Sequence, residues 1–321
     1  MEQEKTAVKR RLALFVGLTF VITWIVFLLI PLRGLTYGEG VSIIILAAAM
    51  FVPALCNILT RLITKEGFKN MYLHPHFKGH LKDYLLVYFG PTALLFLSAA
   101  VYFLIFPASF DLQLNALKGA ASIGGLSAYN LLLISILQII IIGPVINIIP
   151  TLGEELGWRG YLLPKLRTLL TDRAALVITG IIWGMWHIPV IVMGHNYGTD
   201  YMGYPWLGIL AMIVFCVVLG VIEGYIAIKL ESVIPAAMIH SVVNAGAGLP
   251  IILAKSGYNP VLGPAITGLI GGLPFVVLAV VLLIKAGNKL SYVKTVAAKK
   301  DRKAINCTTC IVRCRYNILL N

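Results

Sequence analysis

Eight long apolar runs limit what this chain can become before any motif is considered. They cover residues 12–30, 41–60, 84–106, 129–150, 174–193, 206–228, 232–254 and 261–284. Each is ~20 residues long, the length a helix needs to cross the hydrocarbon core of a bilayer. In lipid, every backbone N–H and C=O must be satisfied within its own segment, so such runs become helices. The expected fold class is therefore all-α, a polytopic membrane protein of about eight transmembrane helices. Composition agrees: 59% of residues are hydrophobic and 12% charged, against about 25% charged in soluble chains.

The charge distribution orients the bundle. The net charge is +13, which on a soluble chain would invite nucleic acid. Here the cations cap apolar runs, and nine of the 26 Lys/Arg follow residue 284. Counting polar segments from the N-terminus, 23 of the 26 fall in odd-numbered segments and three in even-numbered ones. That alternation is the positive-inside pattern and places both termini in the cytoplasm. The distribution marks topology and excludes a groove-binding patch for nucleic acid. Run 12–30 is longer than a signal-peptide core, and no small-x-small cleavage site follows it, so a retained helix is expected.

Charge inside or beside hydrocarbon is costly and usually functional. It gathers just after run 129–150, in Gly153-Glu154-Glu155-Leu156-Gly157-Trp158-Arg159. On a helix, Glu155 and Arg159 share a face with the acid N-terminal, the favourable order for an ion pair. Glu154 points roughly 100° away and is left free for chemistry. A turn at Thr171-Asp172-Arg173 follows. Glu154 lies 17 residues before Thr171 and His187 16 after it. In an antiparallel hairpin both reach the same height, roughly 25 Å from the turn. Pro189, two residues past His187, opens the helix there. His240 and Asn244 are four apart and share a third helix face.

Glu154, His187, His240 and Asn244 are thus the candidate catalytic residues, with Glu155 and Arg159 in support. A carboxylate and a histidine can take a proton from water. A second histidine and an asparagine can donate hydrogen bonds to a tetrahedral oxyanion. No serine or cysteine sits at a comparable position, so a covalent nucleophile is not indicated. Glu154, His187 and His240 also form a His2Glu set of the catalytic zinc kind. The metal-free reading is preferred, because a carboxamide suits an oxyanion hole better than a zinc site. Glu223 lies near Lys229 and reads as structural. Segment 107–128 reads as an external loop.

Other polar features have plainer readings. His74, His76 and His80 share one loop without a cysteine or an interleaved acid, and read as exposed loop histidines beside an interfacial helix. Cys56 and Cys216 lie in apolar runs and read as packing residues. Cys307, Cys310 and Cys314 lack the fourth ligand of a zinc ribbon and read as part of a basic tail.

Three motifs in order, G-E-E-L-G-W-R-G-Y-L-L-P (153–164), W-G-M-W-H-I-P (183–189) and H-S-V-V-N (240–244), resemble the signatures of the CPBP family of intramembrane proteases, also called Abi. Residues 50–54 and 61–63 resemble its members too. Trp158 and Trp183 stand where many members carry phenylalanine, and the tail after residue 284 matches nothing in that pattern.

The resemblance implies an eight-helix endopeptidase whose site faces the cytoplasm. Glu154 and His187 would activate water, and His240 and Asn244 would form the oxyanion hole. It implies a membrane-anchored peptide or protein substrate, either a prenylated C-terminus or a bacteriocin-like peptide. It leaves metal dependence open. The expected organisation is a cytoplasmic N-terminus (1–11), three helices (12–128), a catalytic core (129–254), a last helix (255–284) and a basic tail (285–321). A prokaryotic cell membrane is the expected location. The competing class is a non-catalytic multi-pass immunity protein or transporter that binds a peptide in the same pocket. Internal repeats would favour a transporter, and none is seen.

Overall fold

The computed structural model describes residues 2–287. Among them the fold is all-helical, with no named strand. The long first helix α1 (Glu2–Leu32) is followed by α2 (Val41–Ala49) and α3 (Val52–Ile63). The last two belong to one span broken at Met50-Phe51. Pro53 cannot donate to the carbonyl four residues back, and its ring crowds that turn. Next come α4 (Leu81–Ile105) and the short α5 (Asn115–Ile123), which lies inside the segment expected to be loop. Then α6 (Ala128–Leu137), α7 (Gly143–Gly157) and α8 (Leu163–Leu166) form one continuous rod, 128–166.

That rod holds two π-helical turns, Gln138–Ile142 and Trp158–Leu162. Each ends two residues before a proline, Pro144 and Pro164. A proline leaves the carbonyl four residues back without a donor, and the ladder re-phases around the gap. At the first π turn the stranded carbonyl is that of Ile140, and the Tyr88 hydroxyl donates to it at 2.6 Å. The second π turn falls inside the Glu-Glu-x-x-x-Arg motif.

The chain then folds back as α9 (Asp172–Trp186) and α10 (Ile188–Val192), with His187 at the joint. Thr171 caps α9 by accepting from the Ala174 N–H. The remaining helices are α11 (Trp206–Leu230), α12 (Ile234–Gly246), α13 (Leu249–Ile252) and α14 (Leu273–Ala286).

Six helical stretches are long and apolar enough to cross a membrane: Glu2–Leu32, Val41–Ile63, Leu81–Ile105, Ala128–Leu166, Trp206–Leu230 and Ile234–Ile252. The protein is thus an integral, multi-pass membrane protein, and among the described residues six of the eight expected runs are matched by such helices. The run at 174–193 is split at His187. The run at 261–284 is corrected more strongly: residues 261–272 are turns, and helix begins at Leu273. Gly263-Pro264, Gly268 and Gly271-Gly272 disfavour helix whatever the hydropathy. This irregular backbone is mostly buried in protein, the condition for such backbone at membrane depth.

The core centres on α7, α9, α11 and α12. Alpha-9 lies against α11 through Gly180 and Gly184, where a Cβ would come within 2.5 Å of Val217 and 2.6 Å of Ile213. Small residues of this kind let two helices approach closely in a membrane. The basic tail expected at 285–321, with Cys307, Cys310 and Cys314, lies almost wholly outside the described residues. His74 and His76 are exposed in a stretch without helix, and His80 pairs with Asp83 at 3.0 Å.

Candidate active site

Glu155 and Arg159 form the expected pair. Arg159 Nη1 lies 2.7 Å from Glu155 Oε1, and both side chains are fully buried. The guanidinium also reaches Glu223 of α11, with Nη2 2.6 Å from Oε2. That second contact is close but off-line, and Glu223 has no aligned hydrogen-bond donor, so it is held by charge. Glu223 is structural, as expected, but through Arg159. Lys229, the partner its position suggested, pairs with Asp83 at 2.7 Å. On its other side Glu155 Oε1 accepts from Nδ1 of His240 at 3.0 Å. Two carboxylates, an arginine and a histidine from α7, α11 and α12 thus form one buried network.

Glu154 stands apart from it, as its position on the helix requires. It is 3% exposed, and no cation among the described residues forms an ion pair with it. Its Oε2 accepts from the indole N–H of Trp183 at 2.8 Å and from that of Trp158 at 3.3 Å. These two tryptophans are the departures from the phenylalanines of the resembled pattern. Both aim the Glu154 carboxylate without neutralising it.

Trp183 does more than orient Glu154. Its ring lies under the Arg159 guanidinium at 4.4 Å, a cation–π contact. It meets the His240 ring edge-on at 5.2 Å. Its backbone carbonyl accepts from Nδ1 of His187 at 2.9 Å. A carbonyl can only accept, so Nδ1 of His187 carries the hydrogen, and Nε2 is left as the basic nitrogen. By the same logic, the bond to Glu155 spends the Nδ1 hydrogen of His240. For Nε2 of His240 to donate to an oxyanion, the ring must carry both protons.

All four candidate residues, Glu154, His187, His240 and Asn244, line one cavity of about 260 Å³. Its other walls are largely apolar, including Phe27, Met50, Met212 and Phe215. It takes in three groups that sequence reasoning missed: Tyr37, His195 and Asn196. The His195 ring stacks on that of His187, with centroids 6.0 Å apart and planes at 6°. The Tyr37 hydroxyl lies 2.5 Å from Nδ1 of His195, and burial pushes that hydroxyl's pKa above its ordinary value. A polar Gly-His-Asn-Tyr stretch straight after the helix broken by Pro189 was the available signal.

Connectivity fixes the direction of the cavity. Tyr37 lies between α1 and α2, and His195 between α10 and α11. These loops share one end of the bundle, opposite residues 64–80 and the turn before α9. The cavity therefore runs from Glu154 and His240 away from the Lys/Arg-rich end.

Cys216 packs beside the site. Its Sγ lies 3.8 Å from Nδ1 of His187, which places a buried free thiol beside a site histidine. It touches the nitrogen already bonded to the Trp183 carbonyl, and it does not line the cavity. Its geometry is that of packing, as expected, and not of a Cys–His nucleophile.

For a metal, the trio whose donor atoms come within 4.8 Å of one another is Glu155, Glu223 and His240. Arg159 already engages both of those carboxylates, so a dication there would have to displace the guanidinium. The zinc set considered from sequence is Glu154, His187 and His240. It shares the cavity and presents two histidines whose Nδ1 hydrogens are committed elsewhere, a pattern that suits ligation through Nε2.

Residues 129–246 match the family model described as type II CAAX prenyl endopeptidase Rce1-like. This part of the chain is similar to that family. The Rce1-like region contains all three motifs and every candidate site residue. A curated relative, CAAX prenyl protease 2 of Methanococcus maripaludis, is 31% identical over 93 residues, 28% of this chain and 34% of that protein. The chain thus spans about a third of the length of the curated relative it matches.

Proposed function

We propose that this protein is an intramembrane endopeptidase that hydrolyses a peptide bond of a membrane-anchored substrate. The observation that carries this reading is the single cavity shared by Glu154, His187, His240 and Asn244. Glu155 and Arg159 lie behind it as a closed ion pair. In this reading Glu154 and Nε2 of His187 take the proton from water as it attacks the scissile carbonyl. His240 and Asn244 donate to the oxyanion that forms. His187 then returns the proton to the leaving amine. Zinc held by Glu154, His187 and His240 is the alternative means of activating the water, since bound zinc lowers the pKa of water to ~7.

The Rce1-like match and the name of the Methanococcus relative favour a prenylated C-terminal peptide over a bacteriocin-like one. The same relative supports a prokaryotic cell membrane as the location. The apolar walls around Glu154 suit an apolar stretch of peptide. The test is cleavage of a membrane-anchored reporter by the wild type and by Glu154→Gln. Glu154→Gln is expected to insert and fold but not to cleave. Turnover near wild type by that variant would remove Glu154 from the mechanism. Binding of the reporter without cleavage by the wild type would favour a peptide-binding immunity protein or transporter.

A further inference from the structure

A second cavity lies on the other side of the catalytic core. It measures about 540 Å³, larger than the catalytic one, and shares no lining residue with it. It opens between α4, α11, α12 and α14, with walls that include Leu86, Leu94, Ile226, Ile239, Phe275 and Leu282. Gly90 of α4 borders it. A Cβ at Gly90 would meet only Leu86 of its own helix, at 3.6 Å, and no other helix within 4 Å. Gly180 is the contrast, since there a Cβ would strike the next helix at 2.5 Å. The glycine of α4 thus widens a space, where that of α9 closes one.

The cavity is apolar along its length and charged at one end. Asp83, Lys229 and Lys285 stand there. Asp83 is engaged by Lys229 at 2.7 Å and by His80 at 3.0 Å. Lys285 is exposed and has no carboxylate partner among the described residues. Arg173 donates to the carbonyls of Leu283 and Ile284 at 2.7 and 2.8 Å, which sets its guanidinium at the C-terminal end of α14, next to Lys285. The end of the cavity thus sets one carboxylate against two lysines, with Arg173 at the end of α14 outside its lining. This is also the Lys/Arg-rich end, cytoplasmic by the positive-inside pattern, where anionic lipids are found.

We propose that this cavity is a binding site for one anionic phospholipid, with an acyl chain along the groove and its phosphate held by Lys285. Basic pockets between transmembrane helices on the cytoplasmic side recognise such headgroups. A volume of 540 Å³ falls within the range of ~300–1,000 Å³ common for small-molecule sites. Ile239 and Ile222, which line the groove, immediately precede His240 and Glu223 in the chain. A chain seated there supports the two helices that carry the buried ion network.

The test uses the full chain in mild detergent, stripped of lipid. Phosphatidylglycerol or phosphatidylcholine with the same acyl chains is then added back, and bound lipid is counted by native mass spectrometry. One phosphatidylglycerol per chain is expected, held about five-fold more tightly than phosphatidylcholine, the worth of one lysine contact with an anionic lipid. Lys285→Gln is expected to erase that preference and leave phosphatidylcholine retention unchanged. Gly90→Phe fills the groove and is expected to lower retention of both lipids. Equal retention of the two lipids by the wild type, or a preference unchanged in Lys285→Gln, would overturn the proposal. Because Lys285 is exposed, that arm stands even where Gly90→Phe fails to fold.

Discussion

Arg159→Met removes the one cation that holds two buried carboxylates, in a side chain of similar reach. Glu155 keeps the Nδ1 hydrogen of His240, but Glu223 loses its ion partner and has no aligned donor to replace it. Breaking a buried pair by deleting one partner costs about 3–5 kcal/mol, because a charge is left uncompensated. The guanidinium also sits over Trp183 at 4.4 Å, a contact worth about 2 kcal/mol when desolvated. The loss therefore belongs at the upper end, about 5 kcal/mol. At ~2 °C per kcal/mol for a chain of this size, that is a fall in Tm of about 10 °C. Tryptophan fluorescence during thermal unfolding in detergent reads it directly. Adding Glu223→Gln removes the orphaned charge, so the double variant is expected to be more stable than Arg159→Met alone. A fall of less than about 2 °C for Arg159→Met, on the same scale, would refute a network held by Arg159. So would strictly additive losses in the Arg159/Glu223 double-mutant cycle.

Metal dependence separates the two mechanisms. Without zinc, cleavage survives exhaustive chelation, and Asn244→Ala slows it by about 10²–10³, the loss of one oxyanion donor. With zinc, chelation silences cleavage, added zinc restores it, and Asn244→Ala costs roughly 10–100-fold. We expect the first outcome, and one tightly bound zinc per active chain by elemental analysis would reverse that expectation. Cys216→Ala is expected to retain reporter cleavage, whereas a covalent nucleophile could not be removed without loss of turnover. Glu66 predicts a pH effect. Burial alone would raise its pKa, but the Lys165 hydrogen bond and charge, with Arg61, outweigh burial and hold it below its ordinary 4.5. A depressed carboxyl stabilises the fold above its unfolded pKa and loses that contribution as pH falls through its folded pKa. The Tm gap between wild type and Glu66→Gln is therefore expected to be full near neutrality and to close below about pH 4.5. A gap that persists unchanged at pH 3.5 would count against the ion cluster.

What could be read from sequence was local or rested on simple counting. The Glu155–Arg159 pair follows from helical spacing alone. That Glu154 and His187 share a cavity follows from their near-equal distances to Thr171. The shared face of His240 and Asn244 follows from a separation of four. What escaped was set by packing between distant segments. Nothing near Glu223 in the chain points to Arg159, because the two meet only when α11 lies against the π turn that follows α7. Trp183 read as a mere substitution for phenylalanine, yet its indole N–H orients Glu154 and its carbonyl sets the His187 tautomer. Residues 261–272 read as helix because hydropathy measures burial and is blind to backbone preference. There glycines and prolines bury as turns.

The close seat of α9 on α11 has a consequence for how the protein is made. Alpha-9 has 15 residues, ~22 Å of helix, short of the ~30 Å hydrocarbon thickness. Asp172 and Arg173 stand at its start, and the apolar run 174–193 reaches full length only by continuing past His187 into α10. What holds it is the contact of Gly180 and Gly184 with α11, and α11 is synthesised later. The hairpin bearing Glu154 and His187 thus leaves the ribosome before the helix that seats it exists. Nascent chains halted before residue 206 carry Tyr37, Glu154, His187, His195 and Asn196 but lack His240 and Asn244. The site closes only after the Trp206–Leu230 helix has brought Glu223 to Arg159 and α12 has brought His240 and Asn244.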